Sequence, residues 1–146
     1  MKKCLLFLLL LVGFYCNAQV KNYLYNHKEA NGEVFKDYIT LIFNNNSIVK
    51  GVYYGNQPEI SFVADIDFEE NKSTELSFNL TNYEFSRQIV SPYIKAQYFE
   101  PKKLAFALNE GYYFGYVVDN ELQLQFTWVS ADSATKDMVF KLVKKE

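Results

Sequence analysis

The sequence predicts an all-β protein, most simply an antiparallel up-and-down barrel of eight or nine strands, with a two-sheet β-sandwich as the alternative. Apolar and polar residues alternate without a break in "ELQLQFTW" at 121–128, a pattern typical of a half-buried strand. Aromatic residues make up 18% of the chain, and their side chains fit a pleated surface. Long strands that follow one another through short turns suit a closed barrel, which leaves no exposed edge.

The first predicted hairpin is centred on a run of asparagines. Positions 35–43 place Phe35, Ile39, Leu41 and Phe43 on one side of a strand. Asp37 falls on that same side and is the one charged misfit in the pattern. The "NNN" at 44–46 predicts a turn, because asparagine tolerates left-handed backbone and bonds its own main chain.

The next three strands differ in how clearly their phase can be assigned. Positions 47–55 are ambiguous, and Gly51 is a possible bulge. Positions 59–69 alternate most cleanly. The strand at 75–85 begins with its apolar residues on one side, and its phase slips near Asn82, which indicates a second bulge. A turn at 70–74 joins these two strands.

The C-terminal half predicts a weaker element and then three regular strands. Pro92 interrupts its stretch, so we expect an edge-like or bent strand at 93–99. A short apolar segment follows at 104–108. The last elements are strands at 112–118, 121–129 and 137–144, with a two-residue turn at 119–120 and a polar loop at 130–136.

The first eighteen residues predict a secretory signal peptide. Lys2 and Lys3 precede an apolar run at 5–12 that is too short to span a bilayer. The small residues of "CNAQ" then have the spacing of a signal-peptidase site. We expect cleavage after Ala18 and export to the periplasm or the exterior, with an uncleaved anchor as the alternative.

The cysteines bear on the anchor and on the compartment. Cys16 would become a lipid-bearing residue if the signal were that of a lipoprotein, although Tyr15 stands where a small residue is preferred. Cys4 lies inside the signal too, so the mature chain would have no disulfide. We expect residues 19–146 to form a single domain that is stabilised by packing alone.

Charge excludes two classes of partner. The chain has a formal net charge of −2, and loss of a leader that holds two lysines makes the remainder more negative. Nucleic acid and anionic membranes are therefore not expected as partners, and no transmembrane segment is expected in the mature chain.

The C-terminal third, "GYYFGYVVDNELQLQFTWVSADSATKDMVFKLVKK", resembles the last hairpins of the calycin superfamily of lipocalins and avidins. Trp128 ends a long strand, a loop of small residues follows at 130–135, and Asp137 opens the last strand. The resemblance implies a calycin-like barrel whose interior is just wide enough for side chains or one small ligand.

The residues predicted to line a ligand site are the apolar and aromatic side chains assigned to the barrel interior. Tyrosine offers apolar area together with a polar tip, which suits amphipathic guests. The simpler explanation, that these rings only fill the core or cover the surface, stays open. The predicted ligand-binding residues are Phe62, Ile66, Phe78, Tyr54, Tyr116, Leu124, Phe126 and Trp128.

The charged residues predict neither a metal site nor a catalytic site. Asp65, Asp67 and Glu69 alternate along one strand, but the spacing and glycine of an EF-hand are missing, so a solvated face is expected. His27, the single histidine, falls in "NHKEANGE" and is expected to be an exposed loop residue. No nucleophile elbow accompanies it. We expect no cofactor, no metal and no enzymatic activity.

Two functional hypotheses follow. The first is an exported carrier that holds a small hydrophobic or amphipathic molecule in its barrel. The second is an interaction module of the cell envelope, such as an inhibitor or assembly factor. Its barrel would be filled, and its loops at 26–33 and 130–136 would bind a protein partner.

Overall fold

The protein is a closed antiparallel barrel of eight strands joined in simple sequence order, which confirms the predicted fold class. The computed structural model describes residues 18–29, 31–72, 74–100, 111–129 and 134–144. The strands are β1 (Ala18–Lys28), β2 (Val34–Asn44), β3 (Ser47–Asn56), β4 (Ser61–Asn71), β5 (Glu75–Ser86), β6 (Gly111–Val118), β7 (Glu121–Trp128) and β8 (Thr135–Leu142). Pairing of β1 with β8 closes the barrel, so the alternative sandwich is not adopted.

Two predicted turns are confirmed by their backbone angles. Asn45 and Asn46 have φ of 48° and 66° between β2 and β3, and Asp119 has φ of 53° between β6 and β7. Asparagine and aspartate adopt this left-handed region more readily than most residues. The turns therefore fix the register of the strands that they join.

The inward-facing side chains of the alternating strands fill the interior of the barrel with apolar groups. The residues of the core with no more than 1% exposure include Tyr23, Ile39, Leu41, Ala64, Leu76, Phe78, Leu122 and Phe140. The polar residues between them face outward, as at Gln123 and Gln125 of β7. Burial of this interior is the main stabilising contribution to the fold.

The bulges occur close to the predicted positions, but one is displaced. Pairing between β2 and β3 passes from Lys50 to Ile48, so Val49 is the extra residue and Gly51 is regularly paired. The predicted slip near Asn82 is confirmed, because Asn82 has φ of 51° where the pairing of β4 with β5 shifts.

The predicted strand at 93–99 is wrong. Residues 87–100 run irregularly from the end of β5, with only isolated bridges such as Phe85 to Phe99. Pro92 removes a main-chain donor in the middle of this stretch, which works against a continuous ladder. The predicted segment at 104–108 and the signal peptide up to residue 17 lie outside the described residues, and Ala18 is the first residue of β1.

Gly115 lies where the backbone of β6 is packed closely against that of β7. A Cβ atom on Gly115 would lie 1.9 Å from the main-chain oxygen of Gln123 on β7. Because the obstacle is backbone, no side-chain rotation relieves the overlap. The close packing of β6 on β7 therefore requires glycine at this position.

We expect Gly115→Ala to lower the free energy of unfolding by about 1–3 kcal/mol, since the added methyl forces the two strands apart. Val118→Ala is the matched control on the same strand, because Val118 is exposed on the outside. This control variant should change the free energy of unfolding by less than about 0.5 kcal/mol. Urea denaturation measures both. Equal stability of the two variants would contradict the close approach.

Candidate functional site

The barrel has a cavity at one end, which we call the mouth. Here β1, β3, β5 and β7 end and β2, β4, β6 and β8 begin. The cavity has a volume of about 300 Å³ and opens to solvent. Small-molecule sites are commonly found in the mouths of β-barrels, so the mouth is the candidate functional site.

One side of the mouth is an aromatic wall contributed by β4 to β7. Its rings contact one another: the centroids of Phe126 and Trp128 are 4.8 Å apart and nearly perpendicular, and those of Tyr113 and Phe126 are 4.7 Å apart. These are favourable geometries for aromatic pairs. The aromatic wall comprises Phe62, Tyr83, Tyr113, Phe126 and Trp128.

The other side is a polar wall built around the Asp37 carboxylate, which is only 7% exposed. Its Oδ1 accepts a hydrogen bond of 2.8 Å from the main-chain N–H of Asn56, and its Oδ2 accepts one of 3.1 Å from the Tyr53 hydroxyl. A buried carboxylate is tolerated when donors of this kind surround it. The polar wall thus joins β2 to β3.

His27 completes the polar wall from the end of β1. Its Nε2 lies 3.5 Å from Oδ1 of Asp37 and 3.2 Å from the main-chain oxygen of Asn56, while its Nδ1 lies 3.3 Å from Oε1 of Glu29. The hydrogen bond to Asp37 is the main reason that the pKa of His27 is raised above its ordinary value. Both ring nitrogens face acceptors, so the doubly protonated imidazolium satisfies the site best.

The two buried tyrosines of the mouth stay protonated. Burial raises the pKa of Tyr53 well above its ordinary value, and the negative charge of Asp37 adds to that shift. Burial raises the pKa of Tyr113 in the same way. Both hydroxyls therefore remain neutral groups that can donate a hydrogen bond.

Asn56 links the polar wall to the irregular segment 87–100. Its Nδ2 donates hydrogen bonds to two main-chain oxygens, that of Lys36 at 2.6 Å and that of Val90 at 3.0 Å. Its Oδ1 accepts a bond of 2.8 Å from the Val90 N–H. A single buried amide thereby fastens the segment beside the mouth.

The predicted ligand-binding residues lie in three places: the mouth, the core and the outer face of the barrel. Phe62, Phe126 and Trp128 line the mouth. Ile66, Phe78 and Leu124 are buried in the core and are absent from the lining of the mouth.

The assignments of Tyr54 and Tyr116 to the interior are wrong. Tyr116 is 47% exposed on the outside of β6, and Tyr54 alternates with the buried Tyr53 and lies on the outer face of β3. In each case a neighbouring residue takes the inward position. For Tyr54 that neighbour is Tyr53, and a doubled tyrosine does not reveal which of its two rings faces the core.

The prediction that His27 is an exposed loop residue is also wrong. β1 continues to Lys28, and the His27 side chain is 10% exposed. Polar composition around it concealed the strand. One signal for the polar wall was present, since Asp37 broke an otherwise apolar face; nothing in the sequence pointed to Asn56.

The acidic face of β4 is solvated, as predicted. Asp65 accepts a hydrogen bond from Asn82, and Glu69 accepts bonds from Ser77 and Asn79. Within the described ranges, no cluster of three or more potential ligands could hold a metal ion. The described residues also include no helix that is long and apolar enough to cross a membrane.

Comparison with known proteins gives no match of any kind: no protein-family model, no curated protein and no solved structure matches this chain. The closed barrel of eight antiparallel strands is compatible with a calycin-like fold.

We expect the stability of the protein to decrease as the pH rises through the pKa of His27. That pKa is raised in the folded state, so the stabilisation is complete below the unfolded value of about 6.5 and is lost as His27 deprotonates above it. Urea denaturation at a series of pH values from 5.5 to 8.5 measures this loss. His27 is the only histidine, so His27→Gln should remove the slope; an unchanged slope in that variant would contradict the assignment.

Two buried tyrosines provide a test of the polar wall. The hydroxyl of Tyr23 has no hydrogen-bond partner among the described residues, whereas that of Tyr53 donates to Asp37. We expect Tyr23→Phe to leave the free energy of unfolding unchanged or higher, and Tyr53→Phe to lower it by about 1–3 kcal/mol because a buried acceptor loses its donor. Thermal and urea denaturation compare the two variants. A larger loss of stability in Tyr23→Phe than in Tyr53→Phe would contradict the role of the hydrogen bond to Asp37.

Proposed function

We propose that this protein is an exported binding protein that holds a small amphipathic molecule in the mouth of its barrel. The observation that carries the proposal is the open cavity of about 300 Å³ with an aromatic wall on one side and a polar wall on the other. Ligand sites are mostly apolar and contain a few well-placed polar groups. A filled barrel would have no such opening.

Several features support binding without catalysis. Both nitrogens of His27 face acceptors of the protein, so the ring is engaged within the polar wall and is not directed at a guest as a base. Burial holds Tyr53 and Tyr113 in their protonated forms. These groups can position a ligand through hydrogen bonds, and the proposal requires no cofactor.

Export and a calycin-like barrel are parts of the same proposal. The leader at 1–18 would deliver the chain to the periplasm or the exterior, with lipid attachment at Cys16 as the less favoured form. A closed barrel that is packed at one end and open at the other is the architecture that calycins use to hold a guest.

A second candidate function has its own observation. The outer face of β6 carries four consecutive outward side chains that are apolar or aromatic: Tyr112, Phe114, Tyr116 and Val118, each at least 36% exposed. Contiguous apolar surface of this kind is a feature of protein-binding sites. The envelope interaction module remains the alternative on this ground.

A matched pair of tyrosine variants separates the two functions. Tyr83 lines the mouth, and Tyr116 is on the outer face. We expect the neutral fluorescent probe N-phenyl-1-naphthylamine to bind the purified protein and to shift the emission of Trp128, the only tryptophan. Tyr83→Ala should weaken this binding about tenfold, the equivalent of roughly 1.4 kcal/mol, and Tyr116→Ala should leave it unchanged.

The opposite pattern would favour the interaction module. If Tyr116→Ala weakens the binding and Tyr83→Ala does not, the outer face of β6 is the site. Mass spectrometry of small molecules that co-purify with the native protein is the independent measurement. A bound molecule is expected in the wild type and is expected to be depleted in Tyr83→Ala.

A further inference from the structure

We propose that the molecule held in the mouth is a compact carboxylate, a ring-sized apolar body that bears one acidic group, with the acid at Lys136. This inference rests on the proposed function and adds the chemical class of the ligand. It depends on the charges of the mouth, on the position of Lys136 and on the size of the cavity.

Among the described residues that line the mouth, the two acidic side chains are both directed at His27. Glu29 lies 3.3 Å from one ring nitrogen of His27 and Asp37 lies 3.5 Å from the other. Asp37 also accepts the bonds from Tyr53 and Asn56 described above, so its two oxygens are occupied. A cationic ligand would therefore compete with the protein's own donors for these carboxylates.

Among the described residues, Lys136 is the basic group of the mouth that has no acidic partner within ion-pair distance. Its Nζ lies 5.7 Å from the centroid of the Tyr25 ring. Lys136 is paired across the sheet with Phe126 and lines the cavity at the start of β8. Its positive charge also acts on His27 of the adjacent strand β1, where it works against the raised pKa.

An apolar surface lies next to this charge. Phe126 and Trp128 on the neighbouring strand form the part of the aromatic wall closest to Lys136 along the sheet. A ligand body packed on these rings would bring an attached acidic group to the lysine. A charge-assisted hydrogen bond between the lysine and a carboxylate is stronger than a hydrogen bond between neutral groups.

The volume of the cavity limits the size of the guest. The volume of about 300 Å³ is at the lower end of the range of about 300–1,000 Å³ that is usual for ligand pockets. This volume accommodates one ring with a short side chain and is too small for a long acyl chain in full. The proposed class is therefore a short aromatic or branched carboxylic acid.

Three related probes test the class: 3-phenylpropanoate, 3-phenylpropanamide and 3-phenylpropylamine. They share one ring and one chain length, and they carry a negative, a neutral and a positive end group. Isothermal titration calorimetry with the purified wild-type protein at low ionic strength should give at least tenfold tighter binding of the acid than of the amide, and the weakest binding for the amine. The preference should shrink in 0.5 M NaCl, because salt screens the rim.

Two lysine variants on one strand assign the preference to its residue. Lys141 is also on β8 but faces outward, with its Nζ 4.0 Å from Glu121 and its side chain 75% exposed. Lys136→Gln should lower the affinity for the acid to the value for the amide. The affinity for the amide should not change in this variant. Lys141→Gln should leave all three affinities unchanged.

The possible failures are distinguishable. Equal binding of acid and amide, or an acid preference that persists in Lys136→Gln, overturns the ligand class while the carrier function stands. Binding of none of the three probes, together with no binding of the neutral naphthylamine, overturns the carrier function as well. Retained affinity of Lys136→Gln for the amide shows that this variant is folded.

Discussion

The buried Asp37 carboxylate is the constraint around which the mouth of the barrel is organised. A carboxylate removed from water is costly unless donors replace its hydration. Here the donors come from the two strands that flank Asp37 on β2: His27 is on β1, and Tyr53 and Asn56 are on β3. Each of these groups is therefore held in one orientation by a charge that it must satisfy, and Asn56 carries the constraint outward to Val90.

The open shape of the mouth depends on two glycines, Gly55 on β3 within the polar wall and Gly111 on β6. A Cβ atom on Gly55 would lie 2.3 Å from the ring of Phe62, and one on Gly111 would lie 2.4 Å from the ring of Phe126. The rings lie over the strands where the glycines leave space, instead of extending across the barrel. Away from the mouth, large side chains such as Phe78 and Phe140 fill the interior. The interior of the barrel is thus packed, and a cavity remains at the mouth.

Alternation was sufficient to predict the fold because each strand has one buried face. The barrel class, the turns at 44–46 and 119–120 and the slip near Asn82 follow from local patterns, whereas β1 was not among the predicted strands. Tyr54 was assigned wrongly in a strand whose phase the pattern left ambiguous, and Tyr116 was assigned wrongly in a strand with aromatic residues on both faces. The bulge at Val49 explains part of this ambiguity, since one extra residue reverses the facing of those after it.

The candidate site was less predictable than the fold, because its polar contacts join residues far apart in sequence. Asp37 was visible as a misfit on an apolar face, but its partners were not. The ring of His27 contacts Asn56, 29 positions later, and no local rule selects that pair. The aromatic wall was partly predictable, since Phe62, Phe126 and Trp128 alternate with polar residues on strands of clear phase.

The Asp37 carboxylate favours the charged form of His27, and this pair organises the mouth. The most direct measurement is the NMR titration of the His27 imidazole in the wild type and in Asp37→Asn, which removes the charge and keeps the shape. We expect the pKa of His27 to lie above its ordinary value in the wild type and to decrease clearly in the variant. The same raised pKa in both proteins would contradict it.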